Sequence, residues 1–237
     1  MKANVSDLCP CGSRKAYKRC CGNIQSRWSA NIDTIACEAS LDARIAKIFD
    51  ATLVFISQTN WRGACHGIAA IQYVIFSELG FEPKLYAGIT ETGIWTTGHS
   101  WIEMEGKVYD AACYFSVEDT PRRPPVFHGI ELNTMKPTTT AYGIAVPPVF
   151  SEDVQAVLDA GTTVPGILNG EFTLMRGAHL WHVLDNICML AGIDSVLKVV
   201  GDNIDANALI KKYKNTRWEL RDQIPVDWEL KDMIPVG

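Results

Sequence analysis

The segment CHGIAAIQYVIFSEL, residues 65–79, constrains the fold more than any other part of the chain. It is long enough for about four helical turns. It is apolar on most sides, and it ends at Leu79-Gly80, where glycine suits the left-handed residue that closes a helix. A helix without a polar face must be covered all round, so it is expected at the centre of a domain. The next runs, KLYAGI, HSWIEM and KVYDAA, read as strands that supply part of that cover. The last two are separated by Glu105-Gly106, a short hairpin signal. Helices, then strands, then helices predicts an α+β class.

Around this centre the pattern is less regular. Residues 23–30 read as a polar linker, followed by one long helical pattern from about Asn31. Ile32, Ile35, Ala36, Leu41, Ile45, Ile48, Phe49 and Leu53 recur in it near helical spacing. Residues 116–148 hold six of the eleven prolines and are expected to be mostly irregular. Helices are predicted at 151–160, at about 171–190 and at 204–215. The tail carries WELRDQIPV at 218–226 and again WELKDMIPV at 228–236. Trp218 and Trp228 are expected either to pack onto the body or to anchor a partner. The implied organisation is a knuckle at 1–25, a core at 26–150 and a helical C-terminal region with the tandem tail at 151–237.

Charge supports a separate head. Residues 1–22 hold Lys2, Arg14, Lys15, Lys18 and Arg19 against Asp7, a net +4, whereas the chain as a whole carries −5. The body is therefore acidic, which argues against duplex binding. Four of the eight cysteines fall within thirteen residues, in CPCGSRKAYKRCCG. Four thiolates in so short a loop suit one tetrahedral zinc ion, whose binding would supply the folding energy. Cys9, Cys11, Cys20 and Cys21 are the candidate ligands. This stretch resembles the SEC-C zinc motif in its Cys-Pro-Cys-Gly-Ser start, its aromatic-Lys step at Tyr17-Lys18 and its closing Cys-Cys-Gly. The resemblance implies a structural zinc and docking to a protein or a ribosome. Four protein ligands leave no open position for water, so no metal is expected in catalysis.

Cys65 opens the central helix, where unpaired N–H groups and the helix dipole favour a thiolate. A thiolate nucleophile needs a base and a group to orient that base. With Glu105-Gly106 as the turn, Met104 faces Lys107 and residue 101 faces 110. Asp110 is then the diagonal neighbour of His99, within reach of its ring. This arrangement resembles the transglutaminase-like superfamily, the papain-like clan of Cys-His-Asp enzymes. RGACHGIAAIQYVIFSELGFEPKLYAG and GHSWIEMEGKVYDAA carry the resemblance, through Cys65, Leu79-Gly80, His99, Trp101, Gly106 and Asp110. It implies Cys65 as nucleophile, His99 as general base and then acid, and Asp110 as the orienting group. Gln58 and Trp61 are candidates for the oxyanion site and the cleft wall. His66 reads as a wall residue, and His179 and His182 as core or capping residues rather than metal ligands.

The chemistry that follows is acyl transfer, with hydrolysis of an amide or peptide bond as the leading expectation. Transfer to an amine, as in a transglutaminase, and an inactive adaptor that docks through the knuckle are the alternatives. Arylamine N-acetyltransferases use the same triad, but Trp61 and Arg62 stand where their Arg and first Gly would be. No window approaches a membrane-spanning length, and the first ten residues show no secretory signal. A cytoplasmic protein with a protein or peptide substrate, no membrane and no sequence-specific nucleic acid is expected.

Overall fold

The computed structural model describes residues 15–16, 19, 21–93, 95–116, 122–143, 162–174, 177–200 and 203–221. Cys9, Cys11, Cys20, Trp228 and the helix expected at 151–160 lie outside these residues. Three helices come first: α1 (Cys21–Glu38), α2 (Ala43–Thr59) and α3 (Cys65–Glu78). The strands β1 (Lys84–Thr92), β2 (Trp95–Met104) and β3 (Lys107–Tyr109) follow, and then four two-residue strands, β4 (Val126–Phe127), β5 (Ile130–Glu131), β6 (Lys136–Pro137) and β7 (Ala141–Tyr142). The last part holds α4 (Val164–Leu168), α5 (Leu180–Ala191), β8 (Lys198–Val200), β9 (Asn203–Asp205), α6 (Asn207–Tyr213) and β10 (Glu219–Leu220). The class is mixed α+β.

Two expectations for the first helices are corrected. Residues 23–30 are helical, not a linker, and belong to α1. Trp28, Ile32 and Ile35 form its buried stripe. Its serines bond back along the helix instead of breaking it: Ser26 and Ser29 donate to the carbonyls of Gly22 and Gln25, one turn back. Ser29 also donates to Asp50 of α2 at 2.7 Å. The single pattern from Asn31 to Leu53 is two helices. Ser40 is left-handed (φ 52°), and Asp42 caps α2 by accepting from the Arg44 N–H at 2.8 Å.

α3 is central, as its composition demands. Ile68, Ala70, Ile71, Val74, Ile75 and Phe76 are all at most 1% exposed. It packs against β1 and β2 on one side and α2, α4 and α5 on others. Gly80 ends it with φ 88°. The main sheet runs β10-β1-β2-β3, with β7 also on β1. β1 and β10 are parallel, and the other pairs are antiparallel. The β2–β3 hairpin turns through Glu105 (φ 52°) and Gly106 (φ 71°), with Met104 opposite Lys107.

The C-terminal part is less helical than expected. The helix expected at 171–190 begins only at Leu180, and α6 is shorter than 204–215 because a β8–β9 hairpin precedes it. His179 caps α5: its backbone N–H donates to His182 Nδ1 at 3.0 Å, and the two rings stack 6.1 Å apart. Strand β10 returns to the main sheet, so the start of the tail repeat belongs to the core. Among the described residues no helix is long and apolar enough to cross a membrane.

Candidate active site

Asp110 is built into the site by a break in the hairpin. The β2–β3 ladder ends at Tyr109, and Asp110 instead bridges Val126 through two backbone bonds of 2.8 and 3.0 Å. The chain then tightens into a 3-10 turn at Cys113–Phe115. One carboxylate oxygen, Oδ1, accepts from the N–H groups of Ala112 and Cys113, each at 3.1 Å. The other, Oδ2, lies 2.7 Å from His99 Nε2 and accepts from the Tyr142 hydroxyl at 2.8 Å. Both partners of the His99–Asp110 pair are buried, at 5% and 2% exposure.

The same 3-10 turn fixes the approach to α3, because the Phe115 carbonyl accepts from the Gly63 N–H at 2.9 Å. Cys65 is the first residue of α3, and no side chain caps that end. The N–H groups of the first turn therefore point out of the helix without intrahelical acceptors. Cys65 is half-buried. Gly67 lets Trp61 lie across this first turn: a side-chain carbon there would meet the Trp61 ring at 3.0 Å and Leu180 at 3.1 Å. Trp61 also packs edge-on against Phe172, with centroids 4.8 Å apart. Gln58 is half-buried on the last turn of α2. His66 turns to Ser100, with Nδ1 2.6 Å from its hydroxyl.

Burial by itself pushes the His99 pKa down. The Asp110 charge and hydrogen bond override it, Cys65 adds to them by hydrogen bonding and charge, and the net value is raised to about 9. The Asp110 carboxylate therefore favours the protonated imidazole. With Nε2 committed to Asp110, Nδ1 is the nitrogen left for a sulfur. Burial likewise pushes Asp110 up, but His99, the nearby Arg123 charge and the Tyr142 hydroxyl hold it below its ordinary value. Arg123 is buried and donates to the hydroxyls of Thr90 (2.6 Å) and Thr97 (3.2 Å).

A narrow crevice with no room for a water molecule runs beside Cys65, Gln72, Ser100, Trp101 and Asp110. A larger cavity of about 620 Å³ lies beside Gly80, Lys84, Glu103 and Arg221. It belongs to the other end of α3 and the β1–β2 pair, away from Cys65. The sequence reading missed Tyr142 and Arg123. Both lie in the proline-rich stretch, where two-residue strands leave no periodicity to read.

No group of three or more residues able to hold a metal occurs among the described residues. A family model for the SEC-C motif matches residues 6–23. No curated protein and no solved structure matches the chain.

Proposed function

We propose that the protein is a cysteine-dependent acyl-transfer enzyme that hydrolyses an amide or peptide bond. The observation that carries this reading is the buried His99–Asp110 pair at 2.7 Å, with Cys65 near enough to raise the pKa of the same imidazole. The resemblance to transglutaminase-like, papain-like enzymes supports it. In the first step the Cys65 sulfur bonds to the carbonyl carbon, and the charge on the oxygen is met by N–H groups of the open α3 end. His99 gives its proton to the departing amine, the C–N bond breaks and a thioester remains. Water then attacks the thioester while His99 takes its proton, releasing the acid and restoring the Cys65 thiolate beside the His99 imidazolium. Asp110 keeps the ring oriented and its charge balanced. The substrate is a protein or peptide, and the compartment in this reading is the cytoplasm.

The knuckle supplies docking. The SEC-C match and four thiols at Cys9, Cys11, Cys20 and Cys21 suit a closed tetrathiolate zinc site, whose metal would hold the knuckle folded. That same match favours a second reading, an adaptor that docks on a protein or ribosome without turnover.

Activity-based profiling of a lysate with the wild type and Cys65→Ala separates the two. Covalent capture of a thiol-directed carbonyl probe by the wild type alone, and a cleaved product that disappears in Cys65→Ala, are expected. Identical profiles for the two proteins would reject the enzyme.

A further inference from the structure

The tail repeat, which the cysteine chemistry does not use, offers a different kind of site. Its first copy is seated on β1. Trp218 is 5% exposed, and its ring stands edge-on to His66 at 6.3 Å. Glu219 and Leu220 pair in parallel with Tyr86 and Ala87, and the Arg221 N–H donates to the Ala87 carbonyl at 3.0 Å. The Arg221 guanidinium lies 5.0 Å over the Tyr86 ring and 3.8 Å from the Glu103 carboxylate. Two glycines admit this backbone. A side-chain carbon on Gly88 would come within 2.8 Å of the Arg221 carbonyl oxygen, and one on Gly143 would overlap it.

The seat thus reads an indole, a strand backbone and a cation. Ten residues on, Trp228, Glu229, Leu230 and Lys231 present the same three features in the same order. Lysine lacks the planar fork of arginine, but neither a cation over a ring nor a single ion contact needs that fork. The first copy also holds the seat imperfectly, because Trp218 Nε1 is buried with no acceptor among the described residues.

We propose that this edge of β1 is a strand-addition site with two competing occupants in one chain. Trp228–Lys231 takes the seat when the first copy leaves it. The first copy is favoured by its tether: 4 residues link α6 to Trp218, against 14 to Trp228. Loop-closure entropy makes that difference worth about sixfold in occupancy for otherwise equal contacts.

Hydrogen exchange on the full chain tests this. In the wild type, residues 219–221 exchange slowly. In Trp218→Ala/Arg221→Ala, slow exchange is expected to move to 229–231, by at least about tenfold, independently of protein concentration. Fast exchange in both copies with β2 still protected overturns the proposal. So does protection at 229–231 that grows with protein concentration, which would assign the seat to a second molecule. If β2 also loses protection, the variant has unfolded, and the peptide DWELKDMIPV is titrated into the wild-type chain instead. Faster exchange at 219–221, absent with a scrambled peptide, supports the shared seat. No change at saturating peptide overturns it.

Discussion

Cys113 lies against the Asp110 carboxylate and Cys65 beside its partner His99, and the fold gives the two thiols different surroundings. Cys113 is 2% exposed and donates its thiol to the Pro124 carbonyl at 3.0 Å. Burial, and then the neighbouring Asp110 charge, push its pKa well above the ordinary thiol value. Cys65 is half-buried at an uncapped helix start and faces the imidazolium that Asp110 sustains. One carboxylate therefore silences the sulfur that it meets directly and serves the sulfur that it meets through a histidine. Proximity to charge does not decide reactivity; the sign of the nearest group does.

The largest expected effect tests that contrast directly. Iodoacetamide at neutral pH should alkylate Cys65 at least about 10³-fold faster than Cys113, read by peptide mass spectrometry. Comparable rates would erase the distinction.

Replacing the carboxylate comes next. Asp110→Asn should slow alkylation of Cys65 and any turnover by on the order of 10²-fold or more. It should also change the pH dependence of stability. In the wild type the raised His99 pKa contributes stability that is complete below the ordinary imidazole value of 6.5 and is lost as pH rises through about 9. The lowered Asp110 pKa contributes stability above its ordinary 3.8, lost as pH falls. Thermal unfolding from pH 4 to 10 should therefore show a fall on the alkaline side in the wild type and a flatter profile in Asp110→Asn. An alkaline fall of the same size in both would remove the buried pair as its cause.

The smallest effect concerns the hydroxyl that shares Asp110 Oδ2 with His99. Tyr142→Phe should lower the alkylation rate of Cys65 by only about three- to tenfold, because the two backbone N–H groups still hold Oδ1. Because Tyr142 acts through Asp110, the same variant should shift the pH–rate profile. A fall in rate without that shift would make Tyr142 a packing residue.

What the sequence disclosed follows from locality. The hairpin register was readable as far as Tyr109 because the two-residue turn fixes those pairs, but the expected pairing of residue 101 with 110 does not form: Asp110 leaves the ladder to bridge Val126 and meets His99 from there. The buried α3 was readable because a long apolar run has few alternatives. Tyr142 and Arg123 were not, since each reaches the site from a distant segment whose local pattern carries no period. α1 was misread because Gln25, Ser26 and Ser29 look like linker residues until their partners, Asp50 and the preceding turn, are known. The seat of the tail on β1 is a pairing across more than 130 positions, beyond any local signal.

Gly88 ties two parts of the molecule together. It is the strand partner of His99 on one edge, and on the other it gives way to the carbonyl of Arg221. A single methyl group at position 88 would be felt twice, by the Arg221 carbonyl and by the Trp101 ring. Neither the tail nor the strand that carries His99 can be altered through this residue in isolation from the other.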